Sequence, residues 1–453
     1  MSSVAESGAS PKIPAHKVWS WAAWDWGSAA FNAVATSFVF SVYLTTDGLF
    51  ASSATANQYL SIGMTVAGLV VALLAPIAGR RADRAGRGLL SVGAFTFLVV
   101  ACLAAMYFVA PNSGPSPQAM LILGVALLGL GNIFFEFASV NYNAMLNYVS
   151  TPADRGRVSG LGWGSGYLGG IVLLLILYFG FINPEVGLFG VTGENGLDVR
   201  VAMLFAALWM ALSALPVLLN PPPGYAKAKG HGQAGSLAEN YRALFRLVVS
   251  LAKDSPDTLK FLIASAVFRD GLAGVFTFGG VIAGAVFGFS ASQVIIFAIA
   301  ANVVAGVSTV LVGRLDDLWG PKRVIVFSLV AMVFAATGVF IFHDLGPMVF
   351  WILGLLLTIF VGPAQSASRS MLARMIPAGR EGEVFGLYAT TGRAVSFLAP
   401  LLYGVAISLG NRITGGDGTP FGILGVVVVL LVGLLLILPV REGAKISVAH
   451  LES

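Results

Sequence analysis

Cysteine is almost absent from this chain. Of 453 residues only Cys102 carries a thiol, inside an apolar run, so neither a disulfide framework nor a paired-thiol metal site can be built. Histidine is nearly as scarce: His16, His231, His343 and His450 lie far apart in tails or connecting segments, which argues against a zinc site or a histidine-based nucleophilic triad. Charge is the third deficit. Only 10% of residues are Asp, Glu, Lys or Arg, against about 25% in soluble domains, while 57% are hydrophobic against about 45 to 50%. So little charge cannot cover a water-soluble surface, and the excess apolar area must face lipid. No cleaved leader is expected either: residues 1–17 are polar and weakly basic, and the first apolar stretch is long and carries Asp25.

Apolar runs, by contrast, are plentiful. About 20 apolar residues cross a bilayer as a helix. Twelve segments qualify, near 18–45, 58–79, 89–110, 119–148, 159–182 and 199–220, then 259–287, 291–313, 324–343, 347–376, 384–410 and 420–440. With both termini cytoplasmic, 21 of the 26 Lys and Arg fall in cytoplasmic tails, loops or the cytoplasmic ends of spans, two fall outside (Arg200, Arg412) and three lie deeper within spans (Arg269, Arg369, Arg393). That asymmetry predicts a multi-pass protein of the cell membrane. The expected class is all-α integral membrane, with a cytoplasmic tail (1–17), a six-helix bundle (18–220), a cytoplasmic linker (221–258), a second bundle (259–440) and a tail (441–453).

The two halves are copies. Gly79, Asp83 and Gly86 recur as Gly313, Asp317 and Gly320, 234 positions on, each set after the second span of its half. Met145-Leu146, Pro152-Ala153, Arg155, Val158 and Gly160-Leu161 recur as Met371-Leu372, Pro377-Ala378, Arg380, Val384 and Gly386-Leu387. Asp83 and Asp317 are placed to receive helix-terminal N–H groups or a basic partner, with Arg84, Arg87, Lys322 and Arg323 as further contacts in a cytoplasmic clamp. Between the halves, Leu237, Tyr241, Leu244, Phe245, Val248 and Leu251 share one helical face, which predicts a helix lying at the membrane surface.

Gly164, Gly166 and Gly169 spell GxGxxG, but inside a hydrophobic span with no strand before it, so no dinucleotide is expected. Gly160/Gly164, Gly162/Gly166 and Gly166/Gly170 have the small-xxx-small spacing of closely packed membrane helices. Ionisable residues inside spans need a reason, because each costs at least about 2.5 to 3.5 kcal/mol at a helix centre. They are Asp25, Glu136, Arg269, Asp270, Arg369 and Arg393. All but Arg393 fall in spans 1, 4, 7 and 10, the first helices of the four three-helix units of a duplicated transporter. Asp25, Ser28, Asn32 and Thr36 form a polar stripe in span 1; Asn132, Glu136, Ser139, Asn143 and Asn147 form one in span 4; Gln365 and Arg369 pair in span 10.

The repeated loops resemble the loop motif of the major facilitator superfamily. WAAWDWGSAAFNAV in span 1, YNAML at 142–146, RDG at 269–271, QSASRSMLARMIP at 365–377 and EVFGLYATTGRAVSFLAP at 383–400 resemble its vacuolar amino-acid effluxer branch, named for an autophagy-related protein. Span 1 departs from that pattern, with Trp24 where Tyr is common and Gly27, Ser28 and Ala29 replacing Ala-Asn-Ser. The resemblance implies amino-acid efflux by rocking of two bundles about a midplane cavity. A zwitterion would set its ammonium near Asp25 or Glu136 and its carboxylate near Arg269 or Arg393, with Trp24 and Trp26 over an apolar side chain or, alternatively, anchoring the interface. Arg369, toward the cytoplasmic end and able to snorkel there, is a structural bridge, a gate or a solute contact. No nucleotide motif or cofactor site is present, so a gradient must supply energy, and Asp25 and Glu136 are candidate proton carriers. The expected partners are a small-molecule solute, protons and the lipid bilayer, with no nucleic acid and a monomeric state. Organic acids, sugars or drugs are alternative cargoes, and a receptor on a transporter scaffold is the alternative class.

Overall fold

A computed structural model describes residues 13–225, 237–289, 291–376, 380–416 and 418–441. Among these, twelve helical spans are long and apolar enough to cross a membrane. Spans 1 to 6 are Ala15–Thr45, Thr55–Ala85, Gly88–Phe108, Pro117–Val149, Arg155–Ile182 and Glu194–Leu219. Spans 7 to 12 are Pro256–Ala285, Ile296–Trp319, Pro321–Ile341, Pro347–Met375, Glu381–Thr414 and Thr419–Ile437. The described residues contain no sheet, only one isolated bridge between Val186 and Thr192.

Several spans overrun their apolar windows at the end bearing the signature loops, because helix geometry outlasts the lipid-facing stretch. Span 2 continues through Arg80 and Arg81 until Gly86, whose φ of 61° turns the chain out of the helix while its N–H closes onto Ala82 and Asp83. Gly320, at φ 88°, makes the matching turn after span 8. The second glycine of each signature is thus a helix terminator. Span 1 widens into a π-helical stretch over Ala30–Phe38, and span 11 is broken between Glu381–Val395 and Leu398–Thr414.

The bundles of spans 1–6 and spans 7–12 meet mainly along two helix pairs, span 5 with span 8 and span 2 with span 11. Both contacts rest on glycine. A β-carbon on Gly79 would overlap the Gly382 carbonyl, and one on Gly386 would strike Pro76. In the other pair Gly160 abuts Thr309 and Gly313, while Gly164 faces Gly306 and Val310. The opposite edge of span 5 seats Gly162, Gly166 and Gly169 against span 1, at Asp25 and Trp26. The GxGxxG glycines therefore let one helix touch two neighbours. Outward faces are apolar, as at Leu69, Leu208, Phe327 and Phe334, which suits a lipid boundary.

The linker helix, Leu237–Asp254, differs from its expected single apolar face. Ala243, Leu247 and Leu251 are buried against spans 2 and 7, whereas Phe245 turns outward, 70% exposed. The Tyr241 hydroxyl donates to the Leu73 carbonyl at 3.0 Å, so the helix grips the bundle along one edge and leaves the other exposed. The Leu237 side chain lies outside the described residues.

Candidate functional site

At the signature-loop end each conserved-spacing aspartate caps a helix of the other half. Asp83 Oδ1 accepts from Gly382 N–H at 3.1 Å and Oδ2 from Glu383 N–H at 2.9 Å, at the start of span 11. Asp317 Oδ1 accepts from Gly156 N–H at 2.7 Å and Oδ2 from Arg157 N–H at 2.9 Å, at the start of span 5. Neither helix has a side-chain cap of its own, so its unpaired N–H groups are satisfied from across the interface. The first signature glycine lets the helices approach, and the aspartate four residues later reaches the exposed terminus.

The surrounding charges differ between the two clamps. Arg374 bridges Asp316 at 3.3 Å and Asp317 at 3.1 Å and donates to the Pro152 carbonyl at 2.7 Å. At the other clamp, buried Glu383 pairs with Arg380 at 2.8 Å and with Arg80 at 3.7 Å. Arg84, Arg87 and Arg323, expected as clamp contacts, are instead exposed, and Lys322 donates to the Leu438 carbonyl at 2.7 Å within its own half. Arg87, Lys322 and Arg323 sit past the glycine turns, while Arg84 lies on the last turn of span 2. Arg374, Asp316 and Arg80 were missed because their partners are set by the crossing of four helices and not by spacing.

Further inside, Arg369 is 3% exposed and all its contacts are specific. Nη1 donates to Asp25 at 3.1 Å and to Asn143 Oδ1 at 3.2 Å, Nε to Ser159 Oγ at 3.1 Å, and Nη2 to the Ser159 carbonyl at 2.7 Å. The guanidinium lies 4.9 Å from the Trp21 ring centre and 5.6 Å from that of Trp163. It does not snorkel to the surface. One span 10 side chain thereby ties together spans 1, 4 and 5, and Ser159 with Ser366 adds a hydroxyl pair across the same seam. Gly162 leaves room for this pair: a β-carbon would come within 2.6 Å of Asp25 Oδ2 and 2.7 Å of Arg369 Nη2 and force them to shift.

Glu136 pairs with Arg393, which also reaches Asn132 Oδ1 at 3.3 Å. Glu136 precedes Asn143 by two turns, so this second cross-half bridge lies roughly 10 Å farther from the signature loops than the Arg369 cluster. It is also wetter: its side chains are 23% and 32% exposed, against 15% and 4% for Asp25 and Arg369. Arg269 lies 3.7 Å above the Tyr388 ring, donates to the Tyr388 carbonyl at 3.2 Å and sits beside Gly392, next to Arg393. Among the described residues no carboxylate is in ion-pair range of Arg269. Asp270 is buried and accepts from Ala399 N–H at 2.6 Å, capping the second segment of broken span 11.

Other candidates stand elsewhere. Trp24 is fully buried, stacked on Tyr142 and Phe135, with its indole N–H on Thr96 at 3.0 Å. Trp26 stacks on Trp209 of span 6. Neither ring faces the charges, because neighbours of Asp25 on a helix point about 100° to either side. Asn32 is exposed in the π-helical stretch and uses its carbonyl to hold Thr36 and Ser37. Gln365 is half-buried one turn before Arg369.

A duplicated twelve-span fold, clamped at one end and carrying paired charges between its halves, defines a transporter of the major facilitator type. A family model described as vacuole effluxer Atg22 like matches residues 147–447, and the chain belongs to that family. It is 25% identical over 445 residues to an uncharacterised MFS-type transporter of Bacillus subtilis strain 168, covering 95% of this chain and 96% of that one. It is 27% identical over 330 residues to autophagy-related protein 22 of Cryptococcus neoformans, matching 68% of this chain and spanning only 58% of the fungal protein. Among solved structures, a proton:xylose symporter aligns at TM-score 0.70 with 13% identity, over 95% of this chain and 96% of that one. A bacterial homologue of the iron transporter ferroportin in an outward-facing state aligns at 0.67 with 14% identity, over 94% and 98%. These likenesses establish the fold of a multi-pass membrane transporter for a small solute.

Proposed function

We propose that the protein exports zwitterionic amino acids from the cytoplasm by alternating access, as a proton-coupled monomer of the cell membrane and not as an enzyme. Residues 18–220 and 259–440 are the two moving bodies, and 221–258 tethers them. The basic-residue asymmetry puts the signature loops and both termini on the cytoplasmic side. The observation that carries the reading is the Glu136–Arg393 bridge, which joins the two halves from partly exposed side chains. A zwitterion matches that pair charge for charge. Its ammonium replaces Arg393 at Glu136, and its carboxylate meets Arg393 and Arg269, whose partners among the described residues are a ring and a carbonyl. The interior stays neutral throughout. An organic acid without an ammonium leaves Glu136 unpaired, and a sugar makes no use of either charge, so both are disfavoured.

Asp83 and Asp317 gate the cytoplasmic end, and Asp25–Arg369 seals the floor of the cavity beneath the solute. Protonation of Glu136 releases Arg393 and lets the solute-free carrier return. Flux of radiolabelled amino acids into proteoliposomes tests this reading. Glu136→Gln, Arg269→Gln and Arg393→Gln are each expected to lose exchange as well as gradient-driven accumulation, because each removes a contact to the solute. Transport of sugars or simple carboxylates with no amino-acid flux sinks the proposal.

A further inference from the structure

Lys322 and Arg323 belong to the second signature by spacing; Lys322 donates to the Leu438 carbonyl and Arg323 is exposed. They crown a groove of about 570 Å³ between spans 9 and 12, lined below by Val326, Phe327, Val330 and Leu438. The lining is ordered by helix periodicity. Lys322, Val326 and Val330 follow one another at i, i+4 and i+8, and Arg323 and Phe327 at i, i+4, so two cations at the loop end lead into an apolar track roughly 12 Å long. Lys322 Nζ is held over the mouth by the Leu438 carbonyl, and Phe327 is 57% exposed along the track.

The first half does not repeat this feature. Position 88, which corresponds to 322 at the same 234-residue offset, is glycine, and the chain's own Tyr225 fills the corner beside it, buried and donating to the Asn141 carbonyl at 3.0 Å. The first-half corner is thus filled by an internal aromatic side chain, whereas Lys322 and Arg323 line the mouth of an open groove in the second half.

We propose that the groove between spans 9 and 12 binds one anionic phospholipid, with its phosphate on Lys322 and Arg323 and an acyl chain along Val326, Phe327 and Val330. The charge layout selects this occupant: a polar anionic head continuous with hydrocarbon is the only ligand form that matches both parts, and basic pockets between helices at the membrane boundary recognise such headgroups. A free phosphate would use the mouth and leave the apolar track to the bulk bilayer.

The test is lipid binding to the full chain in neutral detergent, followed by native mass spectrometry with dioleoyl phosphatidylglycerol and dioleoyl phosphatidylcholine. The anionic lipid is expected to bind about 30-fold more tightly, corresponding to about 2 kcal/mol for two basic residues. Lys322→Gln/Arg323→Gln is expected to bring that preference to within about threefold. Arg84→Gln/Arg87→Gln removes the same charge from the ungrooved loop and is expected to leave it intact. Inorganic phosphate at millimolar concentration is expected not to compete. The proposal is overturned if the two double variants behave alike, or if phosphate displaces the lipid and so marks a simple anion site. It also fails if a preference emerges only after removal of residues 442–453, which would make the chain's own tail the occupant.

Discussion

Removing the two clamp carboxylates should unbalance the transport cycle without unfolding the protein. Asp317 makes two hydrogen bonds to helix-terminal N–H groups and an ion pair with Arg374, and Asp83 makes the equivalent two bonds to span 11. A hydrogen bond to a charged group contributes about 1.5 to 3 kcal/mol in a buried setting. Water restores part of this when the halves separate, so the net bias toward the closed loop end is about 2 to 4 kcal/mol per clamp. That is a population shift of about 30- to 700-fold for Asp317→Ala. Asp83→Ala should act similarly, and the two effects should add, because the sites share no partners. Spin labels at positions 84 and 318, both exposed at the loop end of opposite halves, report the separation directly. The single native cysteine, Cys102, is buried and simply replaced for such labelling. Each variant should move the distance distribution toward the wide state while solute affinity changes less than flux. Unchanged distributions in both singles and the double, in correctly inserted protein, refute the reasoning.

Arg369→Gln strands Asp25 at a site where both side chains are largely dry, and should lower stability by about 3 to 5 kcal/mol. Adding Asp25→Asn should restore part of that loss, and a thermal-unfolding double-mutant cycle in detergent measures the coupling; strict additivity would falsify the pairing. Gly162→Ala places a methyl group within 2.8 Å of Asp25, Arg369 and the Trp21 ring, so it should reduce flux strongly while Gly68→Ala, which meets nothing within 4 Å, should not. For topology, cysteines at positions 114 and 190 should react with impermeant reagent in intact cells and those at 84 and 320 should not; external labelling at 84 reverses the assigned orientation.

The spans, the duplication and the signature loops were legible in the chain because lipid imposes local rules. A span needs about 20 apolar residues wherever it lies, and a helix ends at a left-handed glycine whatever surrounds it. The reach of Asp83 and Asp317 to helix termini also followed from their position at a helix end. Direction and partnership did not follow. Trp24 and Trp26 adjoin Asp25 in sequence, yet the 100° step of the helix turns them into the bundle and onto span 6.

Arg369 was readable as an in-span cation, but its partner Asp25 is 344 residues away and the choice among three acids was open. Only the crossing of spans 1, 4, 5 and 10, made possible by Gly162, brings that carboxylate, Asn143 and Ser159 to one guanidinium. The sequence alone determined how many helices cross the membrane and which charges must be hidden. Tertiary structure decided which charge meets which, because pairing energy depends on distances between helices, and those are set by side-chain volume at crossings far apart in the chain.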